Sequence, residues 1–131
     1  MTAPGRGAWR VIARARGAIG ARFRLHGRDP EQGLDCVGLA GWALEIGSLP
    51  TGYGLRGGTR ESVEERLRAA ELGAVAELRG GDLVLAAAGP GQWHLAIAVP
   101  GGWVHADAGL RCVVERPGAA PWPVVSIWRR E

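Results

Sequence analysis

The residue pattern changes period once, at Gly73, and that change limits the folds open to the chain. Before Gly73 apolar residues recur at helical spacing. Ala8, Ile12, Ala15 and Ile19 form one stripe, with Arg10, Arg14 and Arg16 off it, which predicts a helix over about Trp9 to Ile19, ended by Gly20. Residues 20–33 read as a loop, broken by Gly27, Asp29-Pro30 and Gly33. A second helix is expected from Leu34 or Asp35 to Ile46, with Gly47 as its C-terminal cap. Gly38 and Gly41 weaken it by roughly 1 kcal/mol each relative to Ala, so another backbone should pack close to it. Residues 47–58 are a Gly-rich loop. A third helix spans about Arg60 to Leu72, capped by Thr59 or by a Ser62–Glu65 capping box, with Val63, Leu67 and Ala70 buried.

After Gly73 the pattern is one of short strands, near Asp82–Ala87, His94–Val99, Trp103–Asp107, Arg111–Glu115 and Val124–Trp128. Turn signals separate them: Gly89-Pro90-Gly91, Pro100-Gly101-Gly102, Gly109 and Pro117-Gly118. Helices first and an antiparallel sheet after make an α+β domain, N-terminal helices packed on a C-terminal sheet. The 131 residues suit a single domain, 1–131, and the 47% apolar content argues against disorder.

Neither a secretory leader nor an apolar run long enough for a bilayer is visible, so the chain reads as one made in the cytoplasm. Its 16 basic residues are all Arg, and seven of them precede Asp29, the first acidic residue. That basic third reads either as a solvated helix face or as a surface for an anionic partner. Interleaved Arg and Trp could suggest single-stranded nucleic acid, but the Trp residues fall in predicted sheet and helix, so no nucleic-acid partner is expected.

Cys36 and Cys112 are the only cysteines and lack zinc-site spacing, so neither a disulfide framework nor a metal is expected. Cys112 lies among Val113 and Val114 and reads as a core thiol. Cys36 stands at a predicted helix start, where unpaired N–H groups and the helix dipole favour a thiolate. A nucleophilic thiolate needs a base. With Pro100-Gly101 as a two-residue turn, Val99 faces Gly102 and Ala96 faces His105. His94 and His105 then share a sheet face, a base beside its orienting partner. A one-residue slip would separate them.

Gly33-Leu34-Asp35-Cys36-Val37-Gly38-Leu39 resembles the Asp-Cys-Ser-Gly-Leu signature of the NlpC/P60 cysteine peptidases. Ile19-Gly20-Ala21-Arg22-Phe23 and Gly27 resemble that family's Gly-x-x-Tyr-x-x-Gly-Gly approach to the nucleophile. Gly81-Asp82-Leu83-Val84, His94-Leu95-Ala96-Ile97 and Val104-His105-Ala106 are similar to its three strand motifs, in the same order over nearly the whole chain. The resemblance implies a papain-like α+β fold with Cys36 as nucleophile, His94 as general base and His105 orienting it, and no metal or cofactor. It implies a peptidoglycan stem-peptide substrate, commonly cut between D-glutamate and diaminopimelate. The compact form resembles peptidases of prophage and gene-transfer-agent tails, which would make tail proteins its partners and carry it out of the cell. Two rivals remain: an amidase or acyltransferase using the same residues, and a non-catalytic wall-binding tail component.

Two positions depart from the family pattern. Val37 replaces the usual Ser, and Phe23 replaces a Tyr whose hydroxyl would need another donor, the Cys36 N–H being the natural candidate. Other residues carry two readings. Asp35 is an N-cap or lines the oxyanion and substrate site. Asp107 shares the parity of His105 and either orients an imidazole or ends a strand in solvent. Trp93 and Trp103 could wall the cleft, while Trp42, Trp122 and Trp128 read as core. His26 reads as a surface histidine.

Overall fold

The computed structural model describes residues 4–47 and 58–130. Its helices are α1 (Arg6–Gly17), α2 (Cys36–Leu44) and α3 (Arg60–Ala69). Its strands are β1 (Arg28–Asp29), β2 (Gly33–Leu34), β3 (Leu72–Val75), β4 (Leu83–Gly89), β5 (Gln92–Val99), β6 (Gly102–Asp107), β7 (Cys112–Pro117) and β8 (Val124–Arg130). β3 to β8 form one antiparallel sheet in the order β3-β8-β4-β5-β6-β7, and β1 and β2 pair separately. The α+β expectation holds, with α1 packed on α2 and α2 on β5 and β6.

Alternation along the strands divides the core in two. Leu83 and Leu85, with Leu95, Ile97 and Val99, face the helices and join Ile12, Leu39, Leu44 and Leu67 in the main cluster. Val84, Ala96, Ala98 and Trp103 face the other way, covered by Leu78, Ala120, Trp122 and Ile127. Trp128, fully buried, closes the main cluster from β8.

The helix boundaries differ from those expected. α1 starts and ends earlier, so Ile19 lies beyond it and is 43% exposed, while Val11 and Ala18 join Ile12 and Ala15 in the core. α2 ends at Leu44, with Glu45 as its left-handed C-cap, ahead of Gly47. α3 ends at Ala69, and Glu71 (φ 66°) turns the chain into β3, an edge strand absent from the sequence reading. The loop over 20–33 contains the two-residue pair β1 and β2. Most of the expected Gly-rich loop, 48–57, lies outside the described residues.

Thr59 is the N-cap of α3: its hydroxyl accepts from the Ser62 N–H at 3.1 Å. Thr59→Ala should therefore lower stability by about 1 kcal/mol, a fall of roughly 4 °C in Tm for a chain of this size, read by calorimetry. An unchanged Tm would mean that the bond is worth nothing in water.

The early arginines mostly serve the fold. Arg10 pairs with Glu45, Arg16 with Glu115, and Arg28 with Asp35. Arg14 donates to the Trp42 carbonyl at 2.7 Å and lies 4.0 Å from that ring's centroid. A row of arginines that looks like a docking stripe is thus largely committed to α2 and β7.

Candidate active site

Asp35 is the N-cap of α2, and Cys36 is the helix's first residue. The Asp35 carboxylate is buried and fully engaged. Oδ1 accepts from the Gly38 N–H at 2.8 Å and from Arg28 Nη1 at 3.0 Å, and Oδ2 accepts from the His26 N–H at 2.7 Å. The cap reading of Asp35 is therefore the structural one, and its oxygens are turned to the loop and the helix. Gly27 passes so close to Gly38 that a β-carbon there would meet the Gly27 carbonyl oxygen. Another backbone does pack against this helix at Gly38, as that glycine implies.

Pro100-Gly101 is the turn between β5 and β6, with Gly101 at φ 81°, and the register is Val99↔Gly102, Ala98↔Trp103, Ile97↔Val104. The ladder stops there. Further along, the strands part, and the Leu95 backbone amide acts on the Cys36 thiol, favouring its thiolate. The nucleophile candidate thus touches the backbone next to His94. His94 and His105 share the face of Ala96 and Trp103, and His94 Nε2 lies 3.1 Å from His105 Nδ1, the rings nearly perpendicular. One of these nitrogens carries the shared proton. Nε2 of His94 is thus engaged with His105, and Nδ1 lies outside this contact.

Burial sets the charge state. It pushes the Cys36 thiol up to about 11, with the Asp35 charge adding to the rise and the Leu95, Val37 and Cys36 N–H groups opposing it. Burial likewise pulls His94 down to about 4, assisted by His105 and opposed by Asp107. His105 is lowered for the same first reason, with Asp107 opposing. Burial opposes the resting thiolate that a helix start favours. A helix N-terminus contributes at most about 2 kcal/mol, whereas desolvation moves a fully buried group by as much as roughly 3–5 pH units. Both shifts favour a resting pair of thiol and neutral imidazole. Alkylation of Cys36 by iodoacetamide should accordingly keep accelerating with pH toward about 11, where an unperturbed thiol (9.0) has levelled off. A plateau already reached below pH 8 would show a preformed ion pair.

The other candidates separate. Phe23 packs on the main core, and its N–H donates to the Arg111 carbonyl at 2.8 Å. Trp93 also packs there and donates from Nε1 to the Gly58 carbonyl at 2.8 Å, holding the chain at the entry to α3. Asp107 accepts from the Leu110 N–H at 3.0 Å at the end of β6, and its charge still reaches both histidines. Trp103 is buried on the second cluster. His26 is exposed at φ 64°, and Cys112 is half-buried, pairing with Asp107 across β6 and β7.

Trp122, read as core, packs against the second cluster, and its ring also lies 4.9 Å from both His94 and His105, centroid to centroid. No local pattern assigns it there, because it reaches the histidines from the crossover between β7 and β8. Its only marker in the sequence is the pair of flanking prolines.

The fold that carries these residues is shared with solved structures. The NlpC/p60 domain of the peptidoglycan hydrolase SagA is 24% identical, with a TM-score of 0.59 over 86% of this chain and 90% of that one. NlpC2 from Trichomonas vaginalis superposes with a TM-score of 0.66 at 18% identity, over 96% of this chain and 49% of that one. This chain has the NlpC/P60 fold. The peptidoglycan hydrolase RipB from Mycobacterium tuberculosis is 23% identical, with a TM-score of 0.60 over 95% of this chain and 64% of that one. The chain spans about half to nine-tenths of the length of these three structures. No family model and no curated protein matches the sequence. Among the described residues no cluster of metal-binding side chains occurs, and no helix is long and apolar enough to cross a membrane.

Proposed function

We propose that the protein is an NlpC/P60 cysteine peptidase that hydrolyses peptidoglycan stem peptides. The observation that supports this most is the convergence of three groups: the sulfur of Cys36, the Leu95 N–H beside His94, and the His94–His105 pair at 3.1 Å. The similarity in fold to peptidoglycan hydrolases supports the choice of substrate. The D-glutamyl–diaminopimelate amide is the bond proposed.

Neutral His94 takes the Sγ proton as sulfur attacks the amide carbonyl, forming the C–S bond. The resulting oxyanion lies within reach of the Cys36 N–H at the start of α2. His94 then passes its proton to the leaving nitrogen as the C–N bond breaks, leaving a thioester. Water, deprotonated by His94, attacks the thioester. The carboxylate leaves, and the proton returns to sulfur. His105 holds His94 through Nε2, keeping Nδ1 on the thiol. A pair that is neutral at rest charges only as the carbonyl is attacked, so reactivity is tied to a bound substrate. The proposal extends to delivery on a phage or gene-transfer-agent tail, the setting that the motif resemblance suggests.

The test is digestion of diaminopimelate-type peptidoglycan in reducing buffer, read by mass spectrometry, with Cys36→Ala alongside. New stem fragments that vanish in the variant are expected, and their masses name the bond. Absence of fragments from folded native protein would favour another acyl substrate or a binding role.

A further inference from the structure

The segment between β7 and β8 contributes no strand, yet it is fastened at both ends. The Gly118 N–H donates to the Gly101 carbonyl at 2.8 Å, and the Pro123 carbonyl accepts from the Ala87 N–H at 2.9 Å. Between these anchors Pro121 and Pro123 flank Trp122. Each proline fixes its own φ, and Pro123 also restricts the backbone of Trp122. The indole is thereby delivered onto the sheet face away from α2. Its ring lies edge-on to His94, with an interplanar angle of 61°, and edge-on to His105, at 80°. Trp103 backs it at 6.4 Å, and Ala120 packs alongside.

We propose that Trp122 is a positioning residue for the histidine pair: its indole closes the side of both imidazoles away from α2, fixing their mutual orientation and keeping water from them. The proposal rests on the reading of His94 as the general base. Through it, the crossover would help decide which proton state the base holds before substrate arrives.

The charges around the pair are few. Asp107 on β6 favours protonation of both rings, and Arg116 on β7 disfavours that of His105. Cys36 on α2 stands neutral, and 117–123 carries no titratable side chain. Replacing Trp122 therefore changes solvation and contact but no charge. Two effects oppose each other. Losing the indole removes a cation–π partner, which would lower an imidazole pKa. It also admits water, which would raise it. Burial is the largest influence on both histidines, so the second effect wins.

Proton NMR on the native protein should show nuclear Overhauser contacts from the Trp122 indole to both imidazoles. Their absence would overturn the proposal without any variant. In a pH titration, the His94 midpoint, about 4 in the native protein, should rise by about one pH unit or more in Trp122→Ala. In Trp122→Phe it should stay close to the native value. The acid limb of kcat/KM on wall peptides should move with it. Unchanged histidine midpoints in folded Trp122→Ala would refute the assignment. Shifted midpoints in a protein that hydrolyses no wall peptide would count against the peptidase reading and leave the role of Trp122 supported.

Discussion

Cys36→Ala should lower kcat/KM on wall peptides by about 10⁴-fold or more, and His94→Ala should do nearly the same. The two form one proton-transfer unit in which neither has a task without the other. A thiol held near 11 has almost no thiolate at neutral pH. It must give up its proton as it attacks, and His94 is the group able to take it. The double variant should therefore fall no more than a few-fold below either single one, where independent contributions would multiply. His105→Ala should cost less, on the order of 10²-fold, the lower end of what positioned proton transfer supplies. It removes an orienting bond between neutral rings but leaves base and nucleophile in place. The measurement is release of stem-peptide fragments under single-turnover conditions. Multiplicative losses in the double variant would break the assignment of a shared step, and an active Cys36→Ala would end the cysteine-peptidase reading.

The parts of this site legible in the sequence are those fixed by local chemistry. Asp35 could be read as a cap because a carboxylate just before a helix satisfies its first N–H groups, and Gly38 N is where its Oδ1 goes. The pairing of β5 with β6 followed from the Pro100-Gly101 turn, and a period of two then placed His94 and His105 on one face. What stayed hidden depends on distant parts of the chain. β3 is four residues long and includes Gly73, and its pairing with Ile127–Arg130 of β8 makes it a strand, not its propensity. The burial that raises the Cys36 thiol was not legible, because the sequence displays the helix start but not the protein packed around the sulfur. Apolar bulk assigns Trp122 to the core, where it does pack on the second cluster, and only the path of the crossover also puts it on the histidines.

Gly38→Ala should destabilise the fold by about 3 kcal/mol or more, against the sign that helix propensity predicts. In a helix interior Ala is favoured over Gly by roughly 1 kcal/mol. Gly7→Ala, whose new β-carbon would meet nothing within 4 Å, should follow that rule and be neutral or mildly stabilising. At Gly38 the β-carbon would run into the Gly27 carbonyl oxygen, a backbone atom without rotamers to retreat through. Gly27 is itself wedged against the Gly33 carbonyl, and Arg28 Nη1 holds the Gly27 oxygen at 2.8 Å while also reaching Asp35. Relief therefore requires moving either the loop or the helix start, and either move strains the Asp35 cap. Overpacking of a well-packed site typically costs about 1–3 kcal/mol, and a clash with fixed backbone belongs at or above the top of that range. Urea unfolding of the two variants side by side gives the difference directly. A Gly38→Ala protein as stable as the native one would mean that the loop yields freely. Cys36 would then lack the rigid footing that the proposed chemistry requires. The expected loss, together with reduced hydrolysis by the folded fraction, would tie the close approach of two glycines to the placement of the nucleophile.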